Sequence, residues 1–324
     1  MHLHPVPVTI LGGSDLRPGE LPRSGQRQHP LAAYKGAEVS ALGRPLVAHL
    51  VERLRAVEGF GPVVVAGPAA TYAPLGLEAE IVDTDGSVGT NLRAAIERHV
   101  ARPDAGALAL LACDVLPETG DLRALRELYE DDAASALWYP LVRVPEDESR
   151  LGAFGWKPRY TLRRAGAATA EEVLPGHLAI VQPRAVRLPL VYRLLDVAYA
   201  TRNRPLATRR RAMLRATLFA LLARDLLGAL RLRPPTLTAT VLSSGLQFAR
   251  ELRAGTLAAR EVERLIDGIF LRRSWRRELP ACGARFPVVD VLTLAEDVDT
   301  LEEALELQRL RAESLRGTAP RRRP

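Results

Sequence analysis

The chain has 324 residues, 47% hydrophobic and 26% charged, which fits one or two globular domains and excludes a peptide-sized scaffold or bulk disorder. Two cysteines, Cys113 and Cys282, exclude a disulfide framework and a four-thiolate zinc site, and with no signal-like N-terminus they point to the cytoplasm. The formal net charge of +7 is unevenly placed: residues 187–278 hold 19 arginines against 7 acids, residues 316–324 add four arginines, and the remainder carries −9.

The first element is a short β-branched run, residues 5–11, ending at Gly12-Gly13, which reads as a strand followed by a glycine turn. A polar loop rich in Gly, Pro and Arg follows, from Ser14 to Gly36. Pro45 and the apolar spacing of Leu46, Val47, Leu50, Val51 and Leu54 predict a helix of about 12 residues. Residues 63–66 are a continuous apolar run of the kind buried in a parallel sheet, and residues 80–83 form a further strand. A helix is expected from Asn91 to Val100, with Thr90 or Asn91 as its cap. Residues 107–113 form an all-apolar strand with Asp114 at its end, and residues 121–130 a helix capped by Asp121. One strand is expected over 136–144. This alternation predicts an α/β domain with a mainly parallel sheet, whose ligands bind beyond the carboxyl ends of the strands.

From Leu188 to Arg277 the pattern turns helical, four or five helices broken at Pro205 and Pro234-Pro235. The richest apolar stretch there, residues 213–232, is interrupted by Arg215, Arg224, Asp225 and Arg231, so no run reaches the roughly 18 residues of a membrane span. The α/β pattern returns with a strand over 286–291 and a helix over 300–311. The expected division is therefore 1–184 and 279–315 as one α/β domain, 185–278 as a basic helical insertion, and 316–324 as a disordered basic tail.

Three features could carry chemistry. Gly12-Gly13 lets the backbone approach a ligand and aim N–H groups at phosphate oxygens, with Arg17 and Lys35 supplying charge suited to pyrophosphate. It is neither a Walker loop nor a dinucleotide fingerprint. Asp114 stands where such sheets bind ligands and could hold Mg²⁺, or else cap the following turn. Asp297 and Asp299, in the loop before the last helix, could complete a metal site with it, while Thr300 and Glu303 match a capping box. Only two lysines, Lys35 and Lys157, and two asparagines, Asn91 and Asn203, occur in the whole chain. Lysine surviving such a bias marks a site where arginine does not substitute.

Leu11-Gly12-Gly13, Arg17, Lys35 and Gly43-Arg44-Pro45-Leu46, with Cys113-Asp114 and Asp297-Val298-Asp299-Thr300 in that order, resemble the MobA-like nucleotidyltransferases. The resemblance spans residues 6–183 and 284–312 and implies a three-layer GT-A-type fold. It implies that Leu11, Gly12 and Gly13 bind the nucleotide, that Arg17 and Lys35 act on its phosphates, and that Asp114 and Asp297, with Asp299, hold Mg²⁺. Gly89 and Asn91, in residues 86–92, correspond to the part near base and ribose. Lys157, Arg159 and His177 lie where the family places the acceptor; an ordinary surface hairpin and a turn histidine are the alternatives. Asp15 stands where the family has a third glycine, and the insertion has no counterpart.

The implied activity is a Mg²⁺-dependent transfer of NMP from an NTP to a phosphorylated or hydroxyl small-molecule acceptor, with release of pyrophosphate. Glycosyl transfer from a nucleotide sugar is the rival chemistry, and a non-catalytic anion- or membrane-docking protein the rival class. Scattered aromatics in the insertion argue against nucleic acid as partner. The insertion's arginines could solvate helix faces and pair with the acidic body. They could instead form a lid over the acceptor through Arg202, Asn203, Arg204, Arg209, Arg210 and Arg211, or touch an anionic membrane peripherally.

Overall fold

The computed structural model describes residues 5–13, 29–31, 34–103, 105–163, 170–201, 206–230, 237–254, 258–272, 274–275 and 282–318. The chain opens with β1 (Val6–Leu11) and a short helix, α1 (Lys35–Glu38). A hairpin of β2 (Ser40–Ala41) and β3 (Arg44–Pro45) follows. Its turn residues Leu42 and Gly43 both have positive φ, 53° and 76°, as the tight two-residue turn favoured by twisted strands requires. Then come α2 (Leu46–Arg55), β4 (Phe60–Gly67), α3 (Ala69–Tyr72), β5 (Glu80–Asp83), α4 (Val88–Val100), β6 (Leu108–Ala112) and α5 (Thr119–Asp131). Short strands succeed them: β7 (Leu137–Trp138), β8 (Leu141–Arg143), β9 (Tyr160–Leu162), β10 (Glu171–Pro175) and β11 (Leu178–Val181).

The chain then leaves the sheets for α6 (Leu188–Ala200), α7 (Leu206–Ala229), α8 (Leu237–Ala254) and α9 (Ala259–Phe270). It returns in β12 (Ala284–Arg285) and β13 (Val288–Val289) and ends in α10 (Leu301–Thr318). The last helix thus reaches into the segment expected to be a disordered tail; residues 319–324 lie outside the described residues. No described helix is long and apolar enough to cross a membrane.

The main sheet has the order β12-β7-β11-β6-β1-β4-β5. Its centre, β6-β1-β4-β5, is parallel; β11 runs antiparallel to β6 and β7. The alternation of β6 shows how the layers form. Ala109 and Leu111 enter one core with Leu46, Leu50 and Leu54 of α2 and Leu122 and Leu125 of α5. Leu108 and Leu110 face the other side, against Leu92 and Ile96 of α4 and Val191 and Leu195 of α6. A sheet buried on both faces needs near-continuous apolar strands, which is why residues 107–113 carry no polar residue. The α/β class with a mainly parallel sheet and a helical excursion is therefore as the sequence leads one to expect.

Several local expectations are corrected. The run 136–144 is two strands, split at Tyr139-Pro140; of the run 286–291 only β13 (Val288–Val289) is strand, and β12 precedes it, separated from β13 by Phe286-Pro287. The two breaks lie side by side: Tyr139 N–H donates to Arg285 O at 2.9 Å and Leu141 N–H to Pro287 O at 2.8 Å. Each chain crosses there from the main sheet into the second sheet, β13-β8-β10-β9. A proline cannot donate to a ladder, so it marks the crossing point. The neighbouring strand crosses at Pro175-Gly176, where a side chain on Gly176 would meet Pro140 O at 2.5 Å. The N-cap of α4 is Ser87, whose Oγ accepts from Thr90 N–H, rather than Thr90 or Asn91. Glu118 caps α5, and Asp121, three residues in, closes the capping box.

The helical excursion is fastened where it starts and ends. Arg187, almost fully buried, donates from Nη1 to Gly268 O at 2.9 Å and Ile269 O at 2.5 Å, the carbonyls at the end of α9. Its backbone N–H donates to Phe270 O at 2.7 Å, and Arg272 N–H to Ala185 O at 2.8 Å. A cation at a helix C-terminus meets both the free carbonyls and the helix dipole.

Candidate active site

The carboxyl ends of β1, β4 and β6 open on one edge. Gly12 follows β1 and donates its N–H to Ala66 O at 2.8 Å. A Cβ on Gly12 would sit 2.8–2.9 Å from the ring and hydroxyl of buried Tyr72, and one on Gly13 would meet Asn91 Nδ2 at 2.8 Å. Both positions therefore require glycine for close approach, and Leu11, Gly12, Gly13 and Asn91 form one wall. Asn91 is held in place: its Oδ1 accepts from Thr84 Oγ1 at 2.9 Å and from Gly86 N–H at 3.0 Å. Ser87 takes over the capping, so Asn91 is free to turn inward.

Asp114 follows β6, and its carbonyl accepts from Val298 N–H at 3.0 Å. That bond draws the loop 295–300 alongside. Residues 29–31 lie across the same loop, with Leu31 N–H donating to Asp299 O and Leu301 N–H to His29 O, both at 2.9 Å. The loop is closed by the expected capping box: Glu303 N–H donates to Thr300 Oγ1 at 3.2 Å, and Thr300 N–H to Glu303 Oε2 at 2.9 Å. The result is that Asp114, Asp297 and Asp299 each bring an oxygen within 4.8 Å of the others.

Cations thread this cluster. Lys35 Nζ donates to Asp114 Oδ2 at 3.1 Å and to Asp299 Oδ1 at 2.5 Å. Lys157 Nζ donates to Asp297 O at 2.7 Å and Asp299 Oδ2 at 2.9 Å, and lies 3.1 Å from Asp297 Oδ1 and 3.3 Å from Glu303 Oε1. Burial works against both ammonium charges, but the surrounding carboxylates outweigh it and raise both lysines above their usual range. His177 Nε2 lies 3.1 Å from Asp297 Oδ1; burial opposes its cation and Asp297 more than restores it. Conversely, burial would raise Asp297, yet His177 and Lys157 hold it well below the usual carboxylate range.

Lys157, expected on the acceptor side, stands with its ammonium among the carboxylates of Asp297, Asp299 and Glu303. Arg159 is likewise taken up by Glu148 and Glu172, at 2.9 and 3.3 Å. Gly89 packs against α6: its N–H donates to Asp196 Oδ1 at 2.8 Å, and a Cβ there would meet Tyr192 O at 2.6 Å. Arg17, Asp15, Arg202, Asn203 and Arg204 lie outside the described residues, as do the side chains of Arg209 and Arg210; Arg211 is exposed.

Sequence reasoning missed three residues. Glu303 is fully buried, accepts from Asp299 N–H at 2.6 Å and Trp156 Nε1 at 2.8 Å, and contacts Lys157, so the capping box also organises the acidic loop. Asp196 gave no signal beyond being an acid on an apolar helix. Tyr199, near the end of α6, feels the charges of Lys35, Asp114 and Asp299, and its phenol is pushed up to about 12, chiefly by desolvation. The first helix of the excursion therefore ends near the acidic cluster. A cavity of about 520 Å³ lies elsewhere, at the opposite ends of these strands, lined by Pro5, Pro62, His99, Arg126 and Tyr129 among others.

No protein-family model matches the chain, and no curated protein does. Solved structures are similar only distantly. CMP:2-keto-3-deoxy-manno-octonic acid synthetase complexed with CTP is 12% identical, with 97% of this chain and 99% of that one covered at a TM-score of 0.46. Mannose-1-phosphate geranyltransferase from Thermus thermophilus is 16% identical over 61% of this chain and 65% of its own, at 0.40. HddC from Yersinia pseudotuberculosis complexed with GMP-PN is 15% identical over 55% and 77%, at 0.37. The fold assignment rests on the strand order itself.

Proposed function

We propose that the chain is a nucleotidyltransferase that moves NMP from a nucleoside triphosphate to a phosphorylated or hydroxyl small-molecule acceptor and releases pyrophosphate, a MobA-like reaction on a GT-A-type scaffold. The observation that carries the reading is the meeting of Asp114, Asp297 and Asp299 within 4.8 Å beside a glycine turn that admits no side chain. Three carboxylates on hard oxygen suit Mg²⁺, which such sites bind by one or two carboxylates plus substrate phosphates. Asp114, Asp297 and Asp299 would hold it, and when bound it would neutralise charge on the transferring phosphoryl group.

The chain's own groups do the rest. Gly12 N–H is engaged by Ala66 O, so it is the N–H of Gly13, half-buried at the end of the turn, that phosphate oxygens would reach. Lys35 stands between Asp114 and Asp299 with its ammonium firmly charged, and a phosphate arriving at the turn offers that ammonium a further anionic partner. It would thereby favour the charge that develops on the leaving pyrophosphate. Arg17, by resemblance, acts beside it. Asn91 bounds the turn next to Gly13. His177 and Lys157 hold Asp297 well below the usual carboxylate range, and Lys157 also pairs with Asp299. An acceptor phosphate is already an anion, so in-line attack on the α-phosphorus needs no obligatory base. The use of NTP and the two free cysteines agree with a cytoplasmic setting.

The test is pyrophosphate release from each of the four NTPs with Mg²⁺, against a pool of phosphorylated metabolites. One NTP should support release, and Asp114→Ala or Asp297→Ala should lower it about a thousandfold with circular dichroism unchanged. Release of a nucleoside diphosphate from a nucleotide sugar, with no pyrophosphate from any NTP, would replace this reading with glycosyl transfer.

A further inference from the structure

Helix α7 presents a stripe that the described residues leave exposed. Arg211, Arg215, Phe219, Leu222, Leu226 and Leu230 follow one another at spacings of 4, 4, 3, 4 and 4 residues, which keeps them on one face of a helix that continues one residue past α7. All six are exposed; Phe219 is 66%, Leu226 65% and Leu230 76% accessible. Leu221, turned to the other side, is buried. The helix's one acid, Asp225, also lies away from the stripe, where its Oδ2 accepts from Thr238 N–H of α8 at 2.7 Å. On α8, which packs on α7, Leu246 and Arg250 stand exposed one turn apart. The stripe is thus apolar along its second half and basic along its first, with no carboxylate in it.

We propose that this face docks the protein on an anionic lipid surface, with Phe219, Leu222, Leu226 and Leu230 entering the boundary between headgroups and acyl chains and Arg211 and Arg215 meeting lipid phosphates. Large apolar side chains are left exposed in such a row where something covers them. The charge selects what does. Residues 187–278 hold 19 arginines against 7 acids, so a second copy using the same face would bring two strongly basic segments together. A negatively charged bilayer is attracted by that same excess, and it takes up the apolar row without needing a matching surface. No described helix is long and apolar enough to cross a membrane, so the contact is one laid along the surface.

The experiment is vesicle flotation of the full chain. With phosphatidylcholine containing about 30% phosphatidylglycerol the protein should float, and with phosphatidylcholine alone it should not. Raising salt from about 0.1 to about 0.5 M should release most of it, because the attraction to phosphates is screened. Phe219→Ser/Leu226→Ser should reduce the bound fraction about tenfold, and Arg211→Glu/Arg215→Glu should abolish the preference for anionic vesicles. All four positions are exposed, so circular dichroism and melting temperature should stay unchanged. The proposal is overturned if the wild type ignores anionic vesicles, if the serine variant binds them equally, or if mass measurement shows a dimer that this variant splits. Flotation reads binding alone, so its failure is separate from any failure of the proposed catalysis.

Discussion

Lys157 stands with its ammonium among the carboxylates of Asp297, Asp299 and Glu303 and above the ring of Trp156, 4.8 Å from its centroid. Removing one cation from a buried cluster leaves its partners charged without compensation, which costs more than the pair contributes net. Lys157→Met should therefore lower stability by about 3 kcal/mol in urea denaturation. Lys157→Arg should recover only part of it, because a planar fork does not reproduce the contacts of a compact ammonium. A loss confined to acceptor KM, with stability unchanged, would instead point to the acceptor contact expected from the sequence. Lys35 is the complementary case. It touches Asp114 and Asp299 but belongs to a helix of four residues next to the glycine turn, so its head can serve phosphates as well. Lys35→Arg should keep the fold and cut kcat by about tenfold or more; wild-type turnover would show that charge alone suffices at this position. The scarcity of lysine picked out both residues, and it could not say which anions they meet, because those anions lie far away in sequence.

Among the elements, those whose signal is local were legible. β1, β5 and α2 follow from β-branched runs, flanking glycine or proline and helical spacing; β5 keeps its expected ends, and those of β1 and α2 move by a residue or two. The division of 136–144 into two strands, and the strand that precedes Phe286-Pro287, were not legible, because each proline has meaning only when the two breaks lie together at the junction of two sheets. The same holds for the acidic site. Asp114 and Asp297 could be named from their places after strands, but the closure of their loop by Glu303, Trp156 and Lys157 depends on contacts over 140 or more residues. At the β2–β3 turn a local rule is broken: Leu42 holds φ at 53° while 43% exposed. Asparagine tolerates that region far better. Leu42→Asn should raise stability by about 0.5–1 kcal/mol, read as a higher urea midpoint at an unchanged slope. An unchanged or lower midpoint would mean that Leu42 makes a contact that the turn needs.

At the scale of the whole molecule, the charge division of the sequence becomes a division of surfaces. The acidic cluster lies beyond the carboxyl ends of the strands, and α6 packs on α4 through Val191, Tyr192 and Leu195, with a hydrogen bond beside that apolar contact. Asp196 of α6 accepts the Gly89 N–H in the first turn of α4, and two residues further on Asn91 bounds the Gly12-Gly13 turn. An acid at that position also meets the positive end of the α4 dipole, so it satisfies an otherwise free donor and a partial charge together. Asp196→Ala should remove about 1–2 kcal/mol of local stability there. Its effect should reach further than α6: amide exchange should quicken in residues 86–91 as well as in α6, and the KM for nucleotide should rise with kcat nearly unchanged, as expected for a wall that binds the ground state and transition state alike. Asp196→Asn keeps an acceptor oxygen and should restore most of the protection. Faster exchange in α6 alone, with nucleotide KM unaltered, would show that the helical segment is anchored to the sheet without bearing on the site.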